Sequence, residues 1–197
     1  MDKYIDFLKQ HLDLNTIESA LAKISIKEKK YKKGEMIFLP EYIHDAAPFL
    51  ADGLARGYYI DENGKETTWH FYFNDEYSHL TNFFVIDYHS FIYQVPSKIH
   101  FEAVQDCTLY FTSKKDLELL QTLSKKWLKF SLNIAELAYS FVHEKYFSQI
   151  TQSADARFEF IQQTMPHILD KVPQYQIASY IGITPQHLSR LKKQYKN

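Results

Sequence analysis

A single cysteine, Cys107, stands among 197 residues. An internal disulfide is thereby excluded. One thiolate can supply neither a cysteine-ligated zinc site nor an iron–sulfur cluster, so Cys107 is read as a buried core thiol. No apolar run approaches the length a membrane span requires. The opening MDKYIDFLKQHLDL alternates charge with apolar residues where a signal peptide would build a hydrophobic core, so a cytoplasmic protein with no membrane partner is expected. Glycine is scarce, at five residues, and none lies in a phosphate-cradling loop. No Ser/His/Asp arrangement has a recognisable spacing, so no catalytic residues are assigned and the chain is not expected to be an enzyme. Nine histidines invite a metal, yet His70 has no second histidine two residues away, no His-x-x-x-His occurs, and His89 and His100 share no ligand spacing. No metal is assigned.

What is present is ordinary in bulk and uneven in distribution. Hydrophobic residues make up 45% and charged residues 24%, enough for one large domain or two small ones with a sizeable core. The net charge of −1 hides an asymmetry: from Lys171 to the end stand Lys171, Arg190, Lys192, Lys193 and Lys196 with no acid, leaving −6 on the preceding 170 residues. A basic end on an acidic body suits polyanion binding, but charge alone does not separate that from a solvated terminus.

Tyr4, Ile5, Phe7, Leu8 and Leu12 have helical spacing, so a short amphipathic helix is expected over 3–14, with a second near Ile17–Ala22. From about Lys32 the runs KKGEMIFLP, PFLADGLARGYYI, KETTWHFYF and SKIHFEAVQDCTLYFT are rich in aromatic and β-branched residues and read as strands of a β-sandwich or β-roll. Asn63-Gly64 is expected to supply the positive φ angles of a tight hairpin. Ser113 to Asp116 has the form of a capping box, and no glycine or proline interrupts the chain from there to Met165. Within that stretch Leu128, Leu132, Ala135, Tyr139, Val142 and Tyr146 form one stripe, and Trp127, Ile134, Ala138 and Phe141 a second. A helix over 124–150, roughly 40 Å long at 1.5 Å per residue, must bury one stripe against the β region and offer the other to a partner, most simply a second copy of itself. Ser153 is placed to cap a helix over ADARFEFIQQ.

Gln174 to Ile181 reads as a short helix with Ile177, Ala178 and Ile181 inward, leaving through a left-handed Gly182. Thr184 can then cap a second helix, with Pro185 at its first position and Leu188 and Leu191 inward. Gln186, His187, Ser189, Arg190, Lys192 and Lys193 are left for its surface. Two short helices about a glycine turn, the second polar and basic, fit a helix-turn-helix, in which lysines neutralise phosphates and polar groups reach base edges. A plain helical hairpin with a solvated lysine face is the other reading of the same pattern.

With a β-roll, a long helix and SADARFEFIQQTMPHILDKVPQYQIASYIGITPQHLSRLKK, the chain resembles the Crp/Fnr-type bacterial transcription regulators, in their short members. The resemblance implies a β-roll sensor like the cyclic-nucleotide-binding jelly roll over 1–112, linker and dimerisation helices over 113–152, and a DNA-binding domain over 153–197. It further implies a homodimer inserting 184–194 into the major groove of a pseudo-palindromic site, with half-sites roughly 34 Å apart. By position in the motif, Arg190 matches a base-reading arginine, Thr184 a phosphate contact, and Gln186 a place where many members carry glutamate. Pro185 departs from the pattern, since a second base-reading arginine often stands there. The family's β-hairpin wing has no room between Leu169 and Pro173. RNA polymerase and an unknown small-molecule effector are further candidate partners.

Relatives that bind cyclic nucleotides carry a Gly-Glu pair followed by an arginine and a small hydroxyl residue. The corresponding 74–97 holds neither glycine nor arginine, and Arg56, the only arginine before Arg157, is assigned to a structural ion pair; a cyclic nucleotide is therefore not expected. Trp69, Phe71, Phe73, Phe83 and Phe84 could line an apolar cavity, although core packing is the commoner use of such residues. The runner-up function is a small-molecule or protein-binding sensor module that has lost DNA binding, and a metal-dependent β-roll enzyme stands third.

Overall fold

The computed structural model describes residues 2–195, so Lys196 lies outside the described residues. The chain opens with α1 (Asp2–His11) and α2 (Thr16–Ile24), the latter started by a capping box between Asn15 and Glu18. Tyr4, Ile5, Phe7, Leu8 and Leu12 are all buried, with Tyr4 stacked on Phe49 at 4.5 Å between ring centroids. The amphipathic spacing therefore serves to seat α1 on the sheet.

Among the described residues, seven strands follow in two antiparallel sheets. β1 (Ile26–Tyr31), β7 (Cys107–Ser113) and β3 (Ala46–Asp52) form one, in the order β1-β7-β3; β2 (Met36–Phe38), β6 (His100–Ala103), β4 (Leu54–Ile60) and β5 (Glu66–Phe73) form the other, in the order β2-β6-β4-β5. Leu50, Ala55, Phe101, Leu109 and Cys107 pack between them. The Cys107 thiol donates to the Leu54 carbonyl at 3.3 Å, and burial pushes its pKa up to about 12, which keeps it an unreactive thiol.

Several local expectations need correction. The strands begin at Ile26, before Lys32: IKEKKY pairs with β7 as an edge strand and points four of its six side chains to solvent, which its lysines tolerate. PFLADGLARGYYI contains two strands, separated by Gly53 at φ 101°, where a Cβ would lie 2.2 Å from the Asp106 carbonyl oxygen. Arg56 accordingly lies within the second of these, β4. The β4–β5 hairpin is a five-residue loop over 61–65: only Gly64 takes positive φ, while the Asp61 carboxylate accepts from the amides of Asn63 and Lys65, both at 2.9 Å. At Ser113 the hydroxyl caps the Asp116 amide, but the Asp116 carboxylate returns to that hydroxyl and not to the backbone, so the capping box is incomplete.

The 74–97 stretch folds into α3 (Leu80–Phe83) and α4 (Tyr88–Tyr93), with Phe84, Val85 and Ile86 buried between them. α5 (Lys114–Leu123) leads into the 27-residue α6 (Lys125–Thr151), capped by Ser124. α6 buries Trp127, Phe130 and Ile134, whereas Leu128, Leu132, Tyr139 and Tyr146 are 56%, 57%, 73% and 67% exposed. α7 (Ala154–Thr164, capped by Ser153), α8 (Ile168–Lys171), α9 (Gln174–Ile181) and α10 (Pro185–Gln194) complete the described chain. They pack onto β4 and β5 through a shared core that includes Phe71, Phe73, Phe158, Ile161, Ile177 and Leu188.

Candidate nucleic-acid interface

Local chemistry builds the α9–α10 unit. Gly182 leaves α9 at φ 80°, and the amides of Gly182 and Ile183 both return to the Ala178 carbonyl, at 3.0 and 2.9 Å. That left-handed exit lets Ile183 pack inward and turns the chain toward Thr184. The Thr184 hydroxyl accepts from the His187 amide at 3.2 Å, and Pro185 occupies the first turn. Ile177, Ala178, Ile181, Leu188 and Leu191 are each at most 2% exposed, so both helices bury the side the sequence assigned inward.

On the outer side of α10, Gln186, Arg190 and Lys193 are exposed at positions i, i+4 and i+7, one stripe about 10 Å long at 1.5 Å per residue. Among the described residues no acid pairs with Arg190 or Lys193, and Thr184 is exposed at the head of the helix. His187 and Ser189 are half-buried on the flanks. Lys192 is half-buried, and its ammonium donates to the Leu169 carbonyl at 2.7 Å and ties α10 to α8, so in the free chain its first partner is the protein itself.

Three sets of contacts hold this unit against the rest of the chain. Ser179 Oγ donates to Thr68 Oγ1 at 2.8 Å and accepts from the Thr68 amide at 3.1 Å, joining α9 to β5. Beside it Arg56 is 1% exposed, donating to Glu66 at 2.5 Å and Glu102 at 2.6 Å, with the Gln176 carboxamide turned so that its oxygen accepts from Arg56 at 3.1 Å. Arg157 on α7 donates to the Ile181 carbonyl at 2.8 Å and the Gln152 carbonyl at 2.6 Å, placing a cation where α9 and α6 both end. The structural ion pair expected of Arg56 is thus present, doubled, and adjoins α9.

Between the β-roll and α6 lies a cavity of about 290 Å³. Trp69 and Phe84 line it together with Tyr72, Ile134, Ala138 and Phe141, while Phe71 and Phe73 are core and Phe83 is half-buried beneath α1. His70 also lines it; burial lowers its pKa to about 3, so the imidazole is neutral at any physiological pH. Val142, on the exposed stripe of α6, reaches the same cavity. Among the described residues no group of three His, Cys, Asp or Glu side chains is placed to hold a metal ion, and no helix is long and apolar enough to cross a membrane.

No protein-family model and no curated protein matches the sequence. Solved structures do match the fold. FixK2 from Bradyrhizobium japonicum superposes with a TM-score of 0.72 at 16% identity, covering 86% of this chain and 83% of its own. A protein from Eubacterium rectale assigned to the Crp/Fnr family of transcriptional regulators gives 0.68 at 16% identity, covering 96% and 86%. The c-di-GMP-responsive global regulator CLP of Xanthomonas campestris gives 0.64 at 15% identity, covering 92% of each chain. The arrangement of β-roll, long helix and terminal helix-turn-helix is therefore that of the Crp/Fnr fold.

Proposed function

We propose that this chain, built on the Crp/Fnr fold, is a homodimeric transcription regulator that reads a pseudo-palindromic DNA site with α10. The observation that carries the reading is the α10 stripe of Gln186, Arg190 and Lys193, free of acidic partners among the described residues and seated on a glycine turn of helix-turn-helix geometry. Arg190 reads a base edge, Thr184 and Lys193 hold phosphates, and Gln186, His187 and Ser189 set the approach to the groove. Lys192 supports the helix from behind.

The dimer forms along α6. Leu128, Leu132, Ala135, Tyr139, Val142 and Tyr146 follow one another at steps of four and three, the spacing of a left-handed coiled-coil seam, and five of the six are strongly exposed in one chain. The β-roll cavity adjoins that seam through Val142. An effector bound there with different affinity for two seam arrangements would change the distance between the two α10 helices. The cavity is mostly apolar and lacks arginine, which favours an apolar or aromatic effector over a cyclic nucleotide. No catalytic role, metal or redox cofactor enters this reading, and RNA polymerase is a candidate partner of the DNA-bound dimer.

The test is selection from a random duplex pool with the full chain, followed by titration of the enriched sites at two salt concentrations. Arg190→Ala should lose about 1–3 kcal/mol of preference for the selected site over random DNA, whereas Lys193→Ala should weaken both about equally and flatten the salt slope. An Arg190→Ala protein that loses equally on selected and random DNA would remove Arg190 from base reading. Failure to enrich any site, with or without cell extract, would favour the sensor module over the regulator.

A further inference from the structure

A second cavity, of about 160 Å³, opens where α6, α7 and α9 converge and is lined by Phe141, Lys145, Gln152, Arg157, Phe160 and Tyr180. An apolar cavity of about 150 Å³ takes up a benzene ring, so there is room for one ring and little more. Its charges are unbalanced. Lys145 donates to the Trp69 carbonyl of β5, and its ammonium stands 4.2 Å from the Tyr180 ring centroid and 5.1 Å from that of Trp69. Arg157 gives Nε and Nη1 to the Ile181 and Gln152 carbonyls, which solvate its charge without neutralising it and leave Nη2 to donate elsewhere.

Among the described residues no carboxylate pairs with either cation. The one acid on the cavity wall, Glu144, has a 76% exposed side chain that lies against His143. Enclosing an ammonium without a counter-charge is costly, and aromatic faces offset only part of that cost. Burial alone lowers the Lys145 pKa to about 7. A positively charged recess walled by Phe141, Phe160 and Tyr180 suits a ligand that brings one ring and one negative charge.

We propose that this cavity binds a small aromatic carboxylate, its carboxylate held by Lys145 and Arg157 and its ring packed among Phe141, Phe160 and Tyr180. Such a ligand would join the end of α6 to α7 and α9 and so brace α10. That consequence rests on the DNA-binding reading, but the binding itself does not. The site differs from the β-roll cavity in its charge, although Phe141 is a wall of both.

Sodium benzoate is the probe, with benzamide and sodium chloride at matched ionic strength as controls, titrated into the full chain by calorimetry and thermal melting. Benzoate should bind saturably and raise the melting temperature, and benzamide should do neither. Lys145→Met keeps the length of the side chain without its charge and should weaken benzoate by about tenfold or more. Phe160→Ala, on the exposed wall, should weaken benzoate without disturbing the core, which covers the case of a Lys145→Met protein that does not fold. Absence of saturable binding, equal binding of benzamide, or wild-type affinity in the folded variants would overturn the proposal. Lys145-dependent binding supports the site even where no DNA is selected, so its failure and that of the regulator reading are distinguishable.

Discussion

Lys145 makes a prediction about stability as well as binding. In the folded chain burial lowers its pKa to about 7 from an ordinary 10.5, so between those values the unfolded chain carries a proton that the native chain has released. Stability must then rise with pH across that window, by at most about 1.4 kcal/mol per unit. Because Lys145 keeps some solvent access, we expect about 1–2 kcal/mol between pH 7.5 and 9, or roughly 2–8 °C in melting temperature for a chain of this size. His70 and Tyr180, which face the same region, do not confuse the sign. The His70 effect is complete once the unfolded imidazole is neutral, below the window. Tyr180, like Tyr4, Tyr72 and Tyr88, keeps its phenolic proton beyond the ordinary value of 10, so its effect enters only at the top of the window, beyond the pH 7.5–9 span compared, and with opposite sign. Cys107, held up to about 12, begins to oppose the rise near pH 9. All of these remain in Lys145→Met, so the wild-type-minus-variant difference in unfolding free energy, measured by urea titration at each pH, isolates the lysine. Parallel curves from pH 7 to 9 would mean that Lys145 is hydrated or paired in solution, and the argument for an unbalanced cavity would go with it.

Other perturbations test the frame around the interface. Arg56→Met should cost about 3 kcal/mol, lowering the melting temperature by roughly 6–12 °C, because Glu66 and Glu102 lose the guanidinium between them; adding Glu66→Gln and Glu102→Gln should restore part of the loss, and an unchanged melting temperature would show the carboxylates to be well solvated without it. Gly182→Ala should cost about 1–2 kcal/mol in chemical denaturation through backbone strain alone, since the nearest atom to the added Cβ, on Arg157, is 4.0 Å away. Leu132→Glu, placing a charge in the exposed stripe of α6, should raise the dimer dissociation constant in sedimentation by about a hundredfold while leaving the monomer folded, and unchanged association would move the dimer interface elsewhere.

α7, α9 and α10 were legible because their signals are local. Ser153, Thr184, Pro185 and Gly182 each act within four residues of their own position, and the inward stripe of Ile177, Ile181, Leu188 and Leu191 has no competing pattern. β1 was missed because IKEKKY lacks the alternation of a half-buried strand: its partners in β7 stand 76 to 86 residues further on, and its lysines mark an edge. α3 and α4 were missed because Phe83 to Ile86 are apolar without helical or strand period, and the Asp87 cap at the start of α4 stands just after them. The dock of Ser179 on Thr68 spans 111 residues and left no mark in either segment. Nor did the tie from Lys192 to Leu169, which engages one lysine of the basic end with the protein itself.

The placement of α10 follows from these long-range ties more than from the helix-turn-helix itself. α9 is fixed to β5 by Ser179 and Thr68 and lies over the Arg56 cluster, while Arg157 fixes its C-terminal end to that of α6. Lys145 connects the same three elements from within, donating to a β5 carbonyl from α6 beneath a ring of α9. A shift of α6 against β5 therefore cannot leave α9 in place without breaking either the hydroxyl pair or the lysine contact. A ligand in the β-roll cavity touches β5 and α6, and one in the charged recess touches α6, α7 and α9, so the two would act on the same joint from opposite sides. Where both favour one arrangement, each tightens the other's binding by the same factor; where they favour different arrangements, each weakens the other equally. The sign of that coupling, obtained by titrating benzoate with and without a β-roll ligand, would report whether the conformation described here is the one the effector stabilises.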